Sequence, residues 1–190
     1  MSVAQHRPKT VEFECQDTRL NLPVAISGSQ GEANFVDKFE KAYLVEEIRK
    51  PGFLSLASGR EFALEGFGRA DVLFMAWKPA ADGGDFTAMS LRSLSITAIE
   101  GKMSDWRKGL MQASRYRFFA NRSLLVLPPK VCATALGYLQ TFRDLNVGLW
   151  QFNPETGAIR KHFTPRHGQP LNSKAREKAI QLISVRLKFR

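Results

Sequence analysis

One run of apolar residues restricts the possible folds of this chain more than any other feature of its sequence. From Val72 to Trp77 six apolar residues follow one another, between Asp71 and Lys78. A run of this length fits a β-strand, and its lack of polar alternation is typical of a strand that is buried on both faces. We therefore expect a sheet with a covering layer on each side.

The segments around this run alternate between strand-like and helix-like patterns. Apolar residues recur every three or four positions between Glu32 and Lys50, which predicts an amphipathic helix that ends before Pro51-Gly52. Two short alternating segments, 53–57 and 61–67, indicate a hairpin that turns at residues 58–60. Further along, the patterns predict strands at 91–100, 123–127, 147–152 and 158–163, and helices at 104–121, 130–145 and 173–188.

This order of elements predicts an α/β fold, arranged as a sandwich around a mixed sheet. The length of 190 residues fits one compact unit. We divide the chain into an N-terminal extension at 1–30, a main domain at 31–170 and a basic C-terminal helix at 171–190 that packs on the domain or extends it.

Positive charge is unevenly distributed along the chain. There are 28 Lys and Arg against 18 Asp and Glu, a net charge of +10. Residues 151–190 carry nine basic and two acidic side chains, and residues 102–122 carry six basic and one acidic. A solvated surface is one interpretation, but phosphate contacts need cations, so nucleic acid is the specific partner we favour. The sequence shows no apolar leader and no membrane-length apolar segment, so we expect a cytoplasmic protein with no membrane partner.

Three charged residues stand where predicted buried strands begin or end. Asp71 begins one strand, and Glu100 and Lys102 close another. Residues two apart on a strand point to the same face, and Gly101 between them leaves that face uncrowded. Carboxylates of this kind hold Mg²⁺ or Mn²⁺, and a neighbouring ammonium orients a water molecule. An acid-x-Lys triplet alone is nonetheless expected about once by chance in a chain of this composition, as a surface ion pair.

The surroundings of this triplet resemble the centre of the PD-(D/E)xK nuclease superfamily. The strand that ends in Glu-Gly-Lys at 100–102 is followed by a helix with Gln112 and Tyr116, a Gln-x-x-x-Tyr motif, and then by an apolar strand. Residues 69–73 match the first metal-ligand strand of that superfamily, although Ala70 replaces the name-giving proline. The helix at 35–49 stands where the family has its acidic first helix. The resemblance covers about residues 35–152 and is nearest to exonuclease-type and junction-resolvase-like members.

The resemblance implies a restriction-endonuclease-like α/β/α sandwich with a metal-dependent catalytic site. The resemblance implies that Asp71 and Glu100 are ligands of Mg²⁺, with Mn²⁺ as a substitute. It also implies that Lys102 positions the attacking water and stabilises charge on the phosphate. An acid of the first helix completes the site, and Gln112 is a catalytic residue that faces the metal. For the helix acid we favour Glu40 as a metal ligand, with the alternatives Glu46 and Glu47.

Several cations near this motif are candidates for contacts with the substrate backbone. Arg107, Lys108 and Arg115 lie on or next to the Gln-x-x-x-Tyr helix and are predicted to hold phosphates. Arg69 is predicted either to do the same or to pair with Asp71. In the family, the residue at the position of Tyr116 supports substrate placement, whereas flanking aromatic residues also fit a packing role.

These features together predict a metal-dependent nuclease that hydrolyses phosphodiester bonds of DNA. One alternative is a nucleic-acid-binding protein of the same fold that does not cut. Another is an interaction domain whose basic C-terminal helix docks on an acidic partner. The sequence leaves open whether the substrate is DNA or RNA and whether the chain forms a homodimer.

Overall fold

The computed structural model describes residues 9–12, 30–48, 55–78 and 93–188, which form one seven-stranded sheet and five helices. The strands are β1 (Lys9–Glu12), β2 (Ser55–Leu64), β3 (Gly68–Trp77), β4 (Ser95–Gly101), β5 (Arg122–Leu127), β6 (Gly148–Phe152) and β7 (Ile159–Phe163). The helices are α1 (Gln30–Ile48), α2 (Trp106–Tyr116), α3 (Pro129–Leu136), α4 (Leu139–Asp144) and α5 (Ser173–Lys188).

The strands lie in the sheet in the order of the sequence, and the sheet is mixed. β2, β3 and β4 form an antiparallel meander. β5 runs parallel to β4 after the crossover helix α2, and β6 runs parallel to β5 after α3 and α4. β7 lies antiparallel at one edge, and β1, from the predicted N-terminal extension, lies parallel to β2 at the other. The predicted α/β class with a mixed sheet is therefore confirmed.

β3 is buried on both faces, as its apolar run predicts. Val72 and Phe74 point to the face that α1 covers. Leu73 and Met75 point to the opposite face, where side chains of α2, α3, α4 and α5 form the larger core cluster. Because the side chains of β3 point alternately into two apolar layers, one on each face of the sheet, the molecule is a sandwich.

Aromatic packing fixes the position of α1 on its face of the sheet. The ring of Phe39 lies 5.5 Å from that of Phe152, and the ring of Tyr43 lies 4.2 Å from Phe74 and 5.6 Å from Trp150. These rings share the period of one helical stripe, so they orient the whole helix. The first turns of α1 consequently lie over the end of β4, where a Cβ added to Gly101 would stand 2.6 Å from Val36 Cγ2.

The predicted hairpin at residues 58–60 is wrong. β2 continues through Ser58 and Gly59, both buried, and pairs them with Phe74 and Leu73 of β3. Ser and Gly are common in turns, but here their small size fits the crowded sheet interior. The chain turns instead at residues 65–67, where Gly66 has a φ of +81° that favours glycine.

The predicted helix at 130–145 is broken into α3 and α4 around Gly137 and Tyr138. The predicted helix at 173–188 is confirmed as α5, which buries Ala175, Ala179 and Ile183 against the larger core cluster. Parts of other predicted elements, at 49–54 and 91–92, lie outside the described residues. None of the helices in the described ranges is long and apolar enough to cross a bilayer.

Candidate active site

The antiparallel pairing of β3 and β4 places two carboxylates next to each other. Val72 pairs with Ile99, so one residue further along the ladder Asp71 lies opposite Glu100. The backbone N–H of Gly101 donates a hydrogen bond of 2.8 Å to Asp71 Oδ2. Directly opposed residues of two strands present their side chains on the same face. The two acids thus form one cluster at the end of β4, as the sequence predicts.

Lys102 completes this cluster from the residue after β4. Its Nζ lies 2.9 Å from Glu100 Oε1 and 3.7 Å from Glu32 Oε2 of α1. The side chain is largely buried although it is charged, which is rare for lysine unless it is paired. The Lys102 ammonium therefore has two carboxylates as neighbours in a site with little water.

Tyr116 of α2 holds Glu100 from the other side. Its Oη lies 2.5 Å from Glu100 Oε2 and 2.6 Å from the carbonyl oxygen of Arg69. A phenol carries one proton, so it donates to only one of these oxygens at a time. The ionised carboxylate of Glu100 is the stronger acceptor of the two, and the hydrogen bond that Tyr116 donates to it lowers the pKa of Glu100. Tyr116 therefore stabilises the ionised form of Glu100 and fixes the orientation of its carboxylate.

The pKa values of the site follow from burial and from crowding of like charges. Burial raises the pKa of Asp71 to about 6. Burial and the charge of Asp71 raise the pKa of Glu100 to about 7. Burial lowers the pKa of Lys102, but the charge and hydrogen bond of Glu100, together with the charges of Asp71 and Glu32, outweigh burial and raise the pKa overall. Burial penalises the ionised forms of both acids, and Lys102 balances only one of their two negative charges, so a bound cation is favourable when both are ionised.

The acid that α1 brings towards this cluster is Glu32. Besides its contact with Lys102, its Oε1 accepts a hydrogen bond of 3.3 Å from the N–H of Met103. Glu40, the acid favoured from the sequence, does not join the cluster, because it lies about 12 Å further along the helix axis and its Oε2 faces Arg60 at 3.5 Å. Glu46 forms an ion pair with Lys161 of β7, and the side chain of Glu47 lies outside the described residues.

Gln112 lies on the same face of α2 as Tyr116, one turn earlier. It is half-buried, and its Oε1 has no hydrogen-bond partner among the described residues. On this face α2 packs closely on the cluster at Gly109, where an added Cβ would stand 2.7 Å from Lys102 Cγ. The structure thus places Gln112 on the helix face that packs on the cluster, with an amide oxygen to offer.

The cations predicted to contact nucleic acid occupy different places. Lys108 and Arg115 are exposed on the flank of α2 next to Gln112, and neither forms an ion pair with a residue in the described ranges. Arg107 lies on the other flank, where its guanidinium stacks on Trp106 and Tyr138 at 4.5 and 5.1 Å from the ring centroids. Arg69 pairs with Glu61 at 2.9 Å, not with Asp71.

Tyr116 is the predicted contact residue that the structure places elsewhere. It is 1% exposed, so its side chain is not available at the surface to a nucleic acid. Its hydroxyl instead positions Glu100. The packing role that the flanking aromatic residues indicated is therefore the one that the structure shows.

The donor set fits a divalent cation that keeps part of its water shell. Within the described ranges no three His, Cys, Asp or Glu side chains converge on one point as a metal cage. Mg²⁺ is commonly held by one or two carboxylates together with waters and substrate phosphates. Asp71 and Glu100, which repel each other when ionised, provide such a pair, and a bound cation would relieve that repulsion.

Glu32 is the site residue that sequence reasoning missed. It precedes the apolar residues Phe35, Val36 and Phe39 by three, four and seven positions, so it belongs to the face of α1 that meets the sheet. This spacing makes Glu32 a candidate, but it does not distinguish Glu32 from Glu40, which lies on the same face. No known family model and no curated protein matches this chain in sequence.

Proposed function

We propose that this protein is a metal-dependent nuclease with a restriction-endonuclease-like fold that hydrolyses phosphodiester bonds of DNA. The observation that carries the proposal is the buried cluster of Asp71, Glu100 and Lys102 at the end of β4. The order of elements from α1 to β5 supports it: a helix, three antiparallel strands, a crossover helix and a parallel strand. The resemblance to the PD-(D/E)xK superfamily implies a first helix, a metal-ligand strand, the acid-x-Lys strand, a helix and a further strand in this order.

Asp71 and Glu100 would hold the metal ion, Mg²⁺ or Mn²⁺. The ion, when bound, neutralises charge on the phosphate and acidifies a water molecule. For binding, both carboxylates must release their protons, and their raised pKa values place that release near neutral pH. Tyr116 keeps Glu100 in a fixed orientation through its hydroxyl.

Lys102 acts in this proposal as a charged donor and not as a base. Its pKa is raised by Glu100, so it stays protonated at neutral pH. A protonated ammonium cannot accept a proton from water, but it donates hydrogen bonds to the water and to a phosphoryl oxygen. Fixed positive charge in a site with little water stabilises the negative charge that develops during cleavage. Gln112 would orient the water or the phosphate with its amide.

Lys108 and Arg115 give the site an approach for a polyanion. They are exposed on the flank of α2 that borders the cluster, and phosphate contacts of this kind position a backbone without reading its sequence. The net charge of +10 adds a long-range attraction for nucleic acid that weakens with salt.

The test is a cleavage assay with labelled linear, single-stranded and branched DNA, in Mg²⁺, Mn²⁺ or EDTA. We expect cutting that requires metal, that is lost in Glu100→Ala and in Lys102→Ala, and that leaves DNA binding by Lys102→Ala largely intact. Lys161→Ala is the matched control, because Lys161 is also ion-paired but lies on β7, three strands away from β4. No cutting under any condition, with salt-sensitive binding that Glu100→Ala leaves unchanged, would instead support the non-catalytic nucleic-acid-binding alternative.

A further inference from the structure

An exposed pair of aromatic rings lies near the carboxylate cluster. Phe67, in the turn between β2 and β3, and Phe118, just after α2, have ring centroids 5.3 Å apart and planes inclined by 35°. Phe118 is 37% exposed and Phe67 is half-buried. The two rings pack on each other and leave part of their apolar surface open to solvent at one place.

Tyr116 connects this aromatic pair to the site. Its hydroxyl reaches Glu100, while its ring passes Gly68, where an added Cβ would stand 3.8 Å from Tyr116 Cε1. Phe67 directly precedes Gly68, and Phe118 follows Tyr116 by two residues. Along β3, Asp71 is four residues from Phe67, at most about 14 Å of extended chain. When one nucleotide is bound at the carboxylates, the base of a neighbouring nucleotide can therefore reach the aromatic pair.

The charges around the pair suit a phosphate backbone. The acids nearby are neutralised, since Glu65 of the turn pairs with Lys178 at 2.7 Å and Glu61 pairs with Arg69 at 2.9 Å. Arg115, one turn before Phe118, is exposed. An aromatic surface beside a cation is the combination that binds single-stranded nucleic acid without sequence preference.

We propose that Phe67 and Phe118 receive an unpaired nucleobase next to the scissile phosphate, a proposal that rests on the nuclease function above. Every nucleobase has a π-face that stacks on an aromatic ring. Bases within a duplex are already stacked on both faces, so the pair accepts a base only from a single strand, a frayed end, a flap or a branch. The substrate class is then nucleic acid with unpaired nucleotides at the cleavage site.

The experiment places 2-aminopurine, a fluorescent base, at successive positions of a single-stranded oligonucleotide and follows its fluorescence on binding in EDTA, where the strand stays intact. We expect quenching at one position, and we expect Phe118→Leu and Phe67→Leu to remove the quenching and to weaken binding of single strands by about 10-fold. Leucine keeps the apolar volume and removes the ring. Tyr138→Leu is the matched control, since Tyr138 is 46% exposed and packs on Trp106 away from the carboxylates.

The outcomes separate this proposal from the nuclease function. Quenching that depends on Phe118, without metal-dependent cleavage in the assay above, would support the base site and overturn the nuclease. Cleavage that depends on Glu100, with no quenching at any position or with quenching that survives Phe118→Leu, would keep the nuclease and overturn the base site. Quenching lost only in Tyr138→Leu would also overturn it, because the stacking surface would then be the other flank of α2.

Discussion

Replacing Glu100 by Gln is expected to stabilise the metal-free protein at pH 8 while it abolishes cleavage. The carboxyl group is 1% exposed, and burial together with the charge of Asp71 raises its pKa from 4.5 to about 7. One pKa unit corresponds to about 1.4 kcal/mol, so the ionised side chain costs roughly 3 kcal/mol of folding free energy above pH 7. Gln has nearly the same shape and carries no charge.

The sign of the pH dependence follows from the direction of this pKa shift. The folded protein holds the Glu100 proton more tightly than the unfolded chain does, so its stability falls as the pH rises from about 4.5 to about 7. The amide of Gln fits the hydrogen bonds to Tyr116 and Lys102 less well than a carboxyl group does. We therefore expect a net gain of about 1–3 kcal/mol at pH 8, which raises the Tm by roughly 3–9 °C for a chain of this size.

The assay is thermal unfolding of wild type and Glu100→Gln, followed by circular dichroism in EDTA at pH 5 and pH 8. At pH 5 the gain should disappear or reverse, because Glu100 is protonated in the folded wild type and only the poorer hydrogen bonds of Gln remain. Glu46→Gln is the control, since Glu46 is a partly exposed acid paired with Lys161, and its Tm should change little. A Glu100→Gln protein that is less stable than wild type at pH 8, or a gain that persists at pH 5, would refute the reasoning.

Three further predictions test the surroundings of the cluster. Tyr116→Phe removes the hydroxyl that lies 2.5 Å from Glu100, so we expect the free energy of unfolding in urea to fall by about 1–3 kcal/mol. The pKa of Glu100 should also rise further, which would shift Mg²⁺ binding to higher pH. Gly109→Ala places a Cβ 2.7 Å from Lys102 Cγ, so we expect it to lower stability by about 1–3 kcal/mol and to slow cleavage. Gly137→Ala is the control, because its added Cβ has its nearest contact at 3.5 Å, and it should change neither stability nor cleavage. The affinity for Mg²⁺ in calorimetric titration should rise from pH 6 to pH 8, because binding displaces protons from carboxyl groups with pKa values of about 6 and 7. An affinity that does not change over this range would contradict the assignment of Asp71 and Glu100 as ligands.

The core of the candidate site was predictable because it depends on short-range geometry. Glu100 and Lys102 are two apart on a strand, so their side chains share a face whatever the rest of the fold does. Asp71 lies near the start of the neighbouring buried strand, and antiparallel neighbours bring the start of one strand to the end of the next. The Gln-x-x-x-Tyr spacing likewise fixes Gln112 and Tyr116 on one helix face.

The features that were missed depend on long-range packing. Several glutamates of α1 fit the same helical stripe, and the one that approaches Lys102 is decided by how far the helix lies along the sheet. The rings of Tyr43 and Phe74, which are 31 positions apart, fix that placement, and no local pattern contains it. The same holds for Ser58, whose residue type indicates a turn until the neighbouring strand buries it.

The two faces of the sheet are covered by different numbers of helices, so we expect α1 to open more readily than the layer on the opposite face. Four helices share the larger core cluster, whereas α1 is the one helix within the described ranges that covers the other face. Because local opening of a protein follows its smaller cooperative units, we expect α1 to separate from the sheet while β3, β4 and β5 stay folded. Such an opening would carry Glu32 away from Lys102 and expose the aromatic cluster of Phe39, Tyr43 and Trp150. Backbone amides of α1 should then exchange with deuterium before those of the central strands, and the site should lose one of its acids before it loses its fold.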